Sequence, residues 1–165
     1  LADLKISDKE YIVFRPEPFT AAYYHGVKNS QAEIIDLIIQ KRLSDIVLIP
    51  RDNSQKEYYK NRFADQIIIP DKAVDTLSLM FHSSLVVGGG GTMNRESAVL
   101  GVPVISTYDS ELLSVDRWLV EEGLMVHNRN PKYSLFERYL GQKRDSGLKK
   151  NGRKAIDQIM EIITS

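Results

Sequence analysis

The stretch Val86-Val87-Gly88-Gly89-Gly90-Gly91-Thr92-Met93-Asn94-Arg95-Glu96 decides how this chain is read. Val86 and Val87 end a short β-branched run of the kind that forms a buried strand, and a helix is expected to begin near Thr92. Between them, four glycines carry no Cβ and leave the backbone free to curl closely around a ligand. The unpaired N–H groups of the first helical turn, with about half a positive charge from the helix dipole, then face that ligand. Strand, glycine turn and helix in this order make a phosphate cradle, and a plain flexible turn has no need of four glycines. Gly89, Gly90, Gly91, Thr92 and Met93 are the expected phosphate contacts, and Asn94 is expected in the adjoining cleft. Glu96 falls four residues after Thr92, on the same helix face. A carboxylate there would repel phosphate but could accept hydrogen bonds from neighbouring ribose hydroxyls. Its plainer role would be compensation of the helix dipole.

Two familiar phosphate motifs fit poorly. In a dinucleotide fingerprint begun at Gly88, the third glycine would fall on Met93, although Asp109 lies about 20 residues on, where a ribose-binding acid is sought. No lysine follows the glycines as a P-loop requires, which disfavours nucleoside triphosphate hydrolysis of that type.

Further short, nearly continuous apolar runs lie at residues 11–14, 45–49, 66–69, 104–106 and 124–126, with the glycine motif's own run at 85–87. Such runs mark strands covered by helices on both faces. Capping boxes Ser30-Gln-Ala-Glu33, Ser54-Gln-Lys-Glu57 and Ser134-Leu-Phe-Glu137 announce helices between and after them. A helix over 112–122 is expected to end at Gly123. The alternation predicts an α/β, Rossmann-like three-layer αβα sandwich around a mostly parallel six-stranded sheet. A last helix over about 148–163 carries Ile156, Ile159, Met160 and Ile163 on one face, with a basic cluster at its start that reads as a solvated face or a domain contact. Residues 1–10 read as an N-terminal extension and 11–165 as one domain.

The connection over residues 15–29 is about 15 residues long, where about 2–6 is usual. Long loops at the C-terminal edge of a parallel sheet commonly serve function, which singles out Arg15 and His25. Arg51 closes another strand at the same edge and joins the candidate cleft.

Composition bounds the rest. The 165 residues suit one domain, and 22 basic against 22 acidic residues give no bulk field for nucleic acid or anionic lipid. An anion site must therefore be built locally. Absence of cysteine excludes disulfides, thiolate metal ligands and a cysteine nucleophile, and agrees with a cytoplasmic setting. No run approaches the ~20 apolar residues of a membrane span. The three histidines show no metal-binding spacing, so neither a metal nor a separate cofactor is expected. The chain opens on Leu1, which reads as a fragment or a processed form.

The glycine motif, the following Ala-Val-Leu-Gly-Val-Pro-Val-Ile-Ser-Thr-Tyr and the later Leu-Leu-Ser-Val-Asp-Arg-Trp-Leu resemble a largely archaeal family of uncharacterised proteins of the GT-B glycosyltransferase type. The resemblance runs from Tyr11 to about His127. More remotely, the chain is similar to the second domain of bacterial UDP-N-acetylglucosamine 2-epimerases, in which a strand is followed by Ser-Gly-Gly, a glutamate and Leu-Gly-x-Pro-Val. That serine falls on Gly90, the glycine pair on Gly91 and Thr92, and the glutamate on Glu96, so this chain departs at Gly90 and Thr92. The resemblance implies diphosphate at the loop with Arg15, ribose at Glu96, and the base near Ile69 and Asp71. It also implies a nucleotide sugar, UDP-linked by preference, and a second, N-terminal domain that would bring the acceptor site. Transferase and epimerase both remain open, as does a non-catalytic module that binds a nucleotide or phosphorylated metabolite.

Overall fold

The computed structural model describes residue 6, residues 10–19 and residues 29–140. The expected N-terminal extension, His25 and the helix over 148–163 lie outside the described residues, apart from residues 6 and 10. Strand β1 (Tyr11–Arg15) is followed by helix α1 (Asn29–Gln40), β2 (Asp45–Leu48), α2 (Asn53–Phe63) and α3 (Thr76–His82). Then come β3 (Leu85–Gly88), α4 (Thr92–Val99), β4 (Val104–Ser106), α5 (Ser114–Glu121), β5 (Val126–His127) and α6 (Tyr133–Leu140).

The strands form one parallel sheet in the order β2-β1-β3-β4-β5. Successive side chains of a strand point to opposite faces, so each strand feeds two cores. Ile12 and Phe14 of β1 join Ile35 and Ile38 of α1, Tyr59 and Phe63 of α2 and Phe136 of α6 on one face. Tyr11 and Val13 join Leu79 and Met80 of α3, Ala98 of α4 and Leu119 of α5 on the other. Helices thus cover both faces, which is why the strands read as unbroken apolar runs.

The sheet has five strands among the described residues, not six. Residues 66–69 make only one parallel bridge, from Ile68 to Val47. The Ile68 N–H donates to Ile46 O and the Leu48 N–H to Ile68 O, both at 2.8 Å. The next rung would need an N–H at position 70, and Pro70 has none. Apolarity in this run reflects burial of Ile67 in the α1–α2 core, not a continuing ladder. The glycine motif consequently follows the third strand in the chain.

Two helix boundaries are also corrected. Helix α2 is capped by Asp52, whose side chain accepts from the Gln55 N–H at 2.8 Å, rather than by Ser54, which lies inside the helix. The Gln55 side chain in turn accepts from the Arg51 N–H at 2.9 Å. The helix expected from residue 112 starts at Ser114, and Gly123 follows its end at φ +70°, the left-handed conformation that a C′ glycine adopts.

From β1 the chain runs outward to β2, then returns to place β3 on the other side of β1. The C-terminal ends of β1 and β3 therefore flank the point where strand order reverses, the usual ligand crevice of open α/β sheets. Arg15 lies opposite Gly88 in the register there.

Replacing Asp52 by Ala should lower unfolding stability by about 1 kcal/mol, the usual value of an N-cap. Ser54→Ala should stay within about 0.5 kcal/mol, as a substitution away from any cap does. Urea unfolding of the two variants checks the assignment, and equal losses would contradict it.

Candidate functional site

The four glycines divide into two pairs with different tasks. A Cβ on Gly88 would strike the Asn94 side chain, and one on Gly89 would meet the Glu17 backbone nitrogen at 2.8 Å. Gly89 also donates its N–H to Arg15 O at 2.8 Å, so that group is consumed in joining the loop to β1. These two glycines serve close packing. At Gly90 a Cβ would collide with the Arg51 guanidinium, and at Gly91 it would come within 2.7 Å of Arg95 Nη2. The second pair faces charge.

Helix α4 begins directly after this loop, and its N-cap, Gly91, offers no side-chain cap. Helices α2 and α3 are capped by Asp52 and Asp75. Arg95 N–H closes the first turn on Gly91 O at 2.9 Å. The N–H groups of the turn before it, at Thr92 and Met93, have no acceptor within the helix by construction.

Above them lies a cavity of about 540 Å³ that brings together Arg15, Arg51, Gly90, Gly91, Thr92, Met93 and Glu96, with Ile49 and Thr76 completing its wall. Seven residues singled out from the sequence thus share one cleft. Arg15 is anchored by main chain, donating from Nη1 to Ile49 O at 2.9 Å and Pro50 O at 2.5 Å. Arg51 donates from Nε to Pro16 O at 2.8 Å. Among the described residues no carboxylate forms an ion pair with either. Burial and then the neighbouring Arg51 charge lower the Arg15 pKa to about 10, which still leaves it protonated at neutral pH. Two uncompensated guanidiniums beside an uncapped helix start favour an anion.

Glu96 is half-buried in the same wall. It is the fifth residue of α4, past the first turn in which dipole compensation acts, which favours a ligand-facing role. Asn94 is placed differently from the cleft position expected of it. It is 1% exposed and donates from Nδ2 to Gly88 O at 2.9 Å, beneath the loop. Ile69 packs partly buried against the α1–α2 core, while Asp71 is exposed and pairs with Lys56 at 3.2 Å. Neither lines the cavity. Asp109 sits at the loop after β4, 3.8 Å from Arg129. His82 is exposed at the end of α3. Among the described residues no three acidic or imidazole side chains gather to hold a metal, and no helix is long and apolar enough to cross a membrane.

Glu17 was not singled out by the sequence. It is 1% exposed and ties two helices and a loop to the segment after β1. Its Oε1 accepts from the Asp109 N–H at 2.8 Å, its carbonyl accepts from Gln55 Nε2 at 2.6 Å, and its N–H donates to Gln31 Oε1 at 2.9 Å. Its Oε2 is buried without a hydrogen-bond partner. Burial raises the carboxyl pKa to about 7, against a smaller lowering by the Asp109 N–H and by Arg51 and Arg129. The available signal was Arg-Pro-Glu-Pro set directly after the central strand.

Fold and site define a doubly wound parallel α/β domain with an arginine-lined crevice at its switch point, of the kind that forms one half of a GT-B protein. The whole chain, residues 1–165, matches the family described as "Protein of unknown function (DUF354)", and it belongs to that family. It is 44% identical over 126 residues to uncharacterized protein MJ0665 of Methanocaldococcus jannaschii, covering 76% of this chain and 36% of that protein. Its fold is similar to the UDP-GlcNAc 2-epimerase of the same organism, with a TM-score of 0.72 at 20% identity over 99% of this chain and 47% of that one. A glycotransferase of kitacinnamycin matches with a TM-score of 0.63 at 12% identity over 94% of this chain and 43% of that one. The chain therefore spans about a third of its curated relative and under half of these structures.

The raised pKa of Glu17 predicts a pH dependence of folding. In the unfolded chain its carboxyl ionises near the ordinary 4.5, and in the folded protein near 7. Between those values the folded state keeps a proton that the unfolded state has lost, so this group's contribution to stability declines as pH rises through that window and levels off above it. Glu17→Gln should remove that decline. Melting temperatures of both proteins from pH 4 to 9 test this, and parallel profiles would refute it.

Proposed function

We propose that this chain is the nucleotide-sugar-binding domain of a GT-B-type enzyme acting on a sugar nucleotide, UDP-linked by preference. The observation that carries this reading is the single cleft that joins Arg15, Arg51, the Gly90–Gly91 turn and Glu96 at the switch point. Thr92 and Met93 N–H groups and the two guanidiniums would hold the phosphates, and Glu96 would accept from the ribose hydroxyls. Base recognition would fall to Ile69 and Asp71, outside the cavity itself and beside the outer edge of β2. In a transferase or an epimerase alike, the sugar–oxygen bond to the diphosphate breaks, and preorganised positive groups stabilise the leaving anion.

The solved structures of similar fold include a Methanocaldococcus jannaschii UDP-GlcNAc 2-epimerase in complex with UDP-GlcNAc and UDP, TM-score 0.64 at 19% identity. This chain matches 45% of that one, which supports a further domain facing the cleft and contributing the acceptor site and the groups that move protons. Handling a nucleotide sugar without disulfides suits the cytoplasm.

Glu96→Ala should weaken UDP binding by about 1.5–3 kcal/mol, the scale of a hydrogen bond to a charged group. Glu96→Gln should keep part of the affinity through its amide oxygen. Calorimetric titration of UDP into the protein and both variants measures this, with NADH as the competing ligand. Unchanged affinity in Glu96→Ala, or tighter binding of NADH than of UDP, would overturn the reading.

A further inference from the structure

A second cavity of about 270 Å³ opens on the other side of the glycine loop. It shares Gly90, Gly91 and Thr92 with the first and is otherwise lined by residues that include Arg95, Tyr108, Leu112 and Asp116. At about 30 Å³ per water molecule it would hold roughly nine. Anything seated on the loop therefore has space on two sides, one walled by Arg51 and one by Arg95.

The two arginines mirror each other across consecutive residues. Arg51 lies against Gly90 and Arg95 against Gly91, each in the place that a Cβ would occupy. Their anchoring differs. Arg51 leans on a carbonyl and forms no ion pair among the described residues, whereas Arg95 is gripped in a fork by Asp116, Nε to Oδ1 at 2.8 Å and Nη2 to Oδ2 at 2.7 Å. That grip raises the Arg95 pKa and fixes the plane of its guanidinium. The Asp116 side chain is 6% exposed while that of Arg95 is 31% exposed, so the acid is buried behind and the cation reaches the cavity. A guanidinium has five N–H donors. The fork uses two, leaving Nη1 and the outer hydrogen of Nη2 for a ligand.

Building on the nucleotide reading above, we infer that Arg95, seated on Gly91 and oriented by Asp116, is the far arm of an arginine clamp on a nucleoside diphosphate. Arg51 and Arg15 address the phosphate on the nucleoside side, Arg95 addresses the terminal phosphate, and the group esterified to that phosphate lies in the second cavity. The near arm attracts through unpaired charge. The far arm selects by fork geometry, because a nucleoside monophosphate ends before it.

Titration of UMP and UDP into the full chain and its variants tests the clamp. The wild type should bind UDP at least about tenfold more tightly than UMP, as an added charge-assisted contact gives. Arg95→Lys, which keeps charge but loses the fork, should cut that preference to about twofold or less with UMP affinity nearly unchanged. Gly91→Ala gives a second route. Gly91 has helical backbone, φ −82° and ψ −51°, so alanine fits the chain while its Cβ displaces the Arg95 head. Gly91 also belongs to the phosphate turn, so UMP binding should weaken too, and the readout is the UDP-to-UMP ratio, which should again fall to about twofold or less. Arg51→Lys should instead weaken both ligands. If Arg95 only braces α4 against α5, its variants will melt earlier with the UDP-to-UMP ratio intact, and the inference fails. Pyrophosphate and phosphate, titrated in parallel, separate the two readings. A pyrophosphate preference that depends on Arg95 without binding of UDP or UMP would sustain the clamp and sink the nucleotide assignment. No pyrophosphate preference in the wild type would sink the clamp.

Discussion

The site depends on how closely the glycine loop lies against the end of β1. The Gly89 N–H reaches Arg15 O at 2.8 Å, and the Glu17 backbone nitrogen stands 2.8 Å from where a Cβ on Gly89 would be. Backbone this close admits no side chain, and neither partner can step aside without breaking the β1–β3 ladder. Once the contact is made, much follows from it. Gly88 meets Asn94 from below, α4 starts at a fixed point, and Gly90 and Gly91 are presented to the crevice. The β1–β3 switch point supplies the room, because no connection crosses above it there. Two glycines are thus used to bring backbone against backbone, so that two others can be offered to a ligand.

Charge is distributed around that loop in an uneven way. Arg15 and Arg51 hold main-chain carbonyls, which orient a guanidinium without neutralising it. Burial, and after it the neighbouring Arg51 charge, lowers the Arg15 pKa. A buried guanidinium beside a second one is an arrangement that an anion would relieve. Arg95 is instead neutralised by Asp116. One side of the loop is electrostatically loaded and the other is geometrically fixed.

Much of this was legible in the sequence. Unbroken apolar runs between helices gave the parallel sheet and its two covered faces, and four glycines between strand and helix gave the place of the cleft. Run 66–69 misled because three isoleucines look alike whether they pair with a strand or fill a core, and Pro70 alone records that the ladder stops. Helix α2 misled because Asp52, Asn53 and Ser54 are all good caps, and only geometry chooses among them. The expected roles of Gly89 and Asn94 rested on spacing along the chain. Spacing cannot show that one N–H is already bonded to β1 or that the other side chain turns under the loop. Arg95 was passed over because an arginine on a helix start reads as surface, and its partner Asp116 lies 21 residues away on another helix.

Glu17 was the least legible residue, being a charged type between two prolines, and it fastens the end of β1 to its neighbours. A carboxyl with one oxygen unpaired in the interior is costly to keep, and a pKa near 7 is the mark of that cost. What it does is local. From one residue it holds the β4–α5 loop through Asp109, α2 through Gln55 and α1 through Gln31. Two of these are helices on one face of the sheet and the third is the loop after β4, and all are held to the segment that leaves β1. Arg51 also lowers the Glu17 pKa, so the guanidinium that faces the ligand space also supports the charge of the carboxylate beneath the loop. Ionised Glu17 and a bound anion then draw on the same positive field.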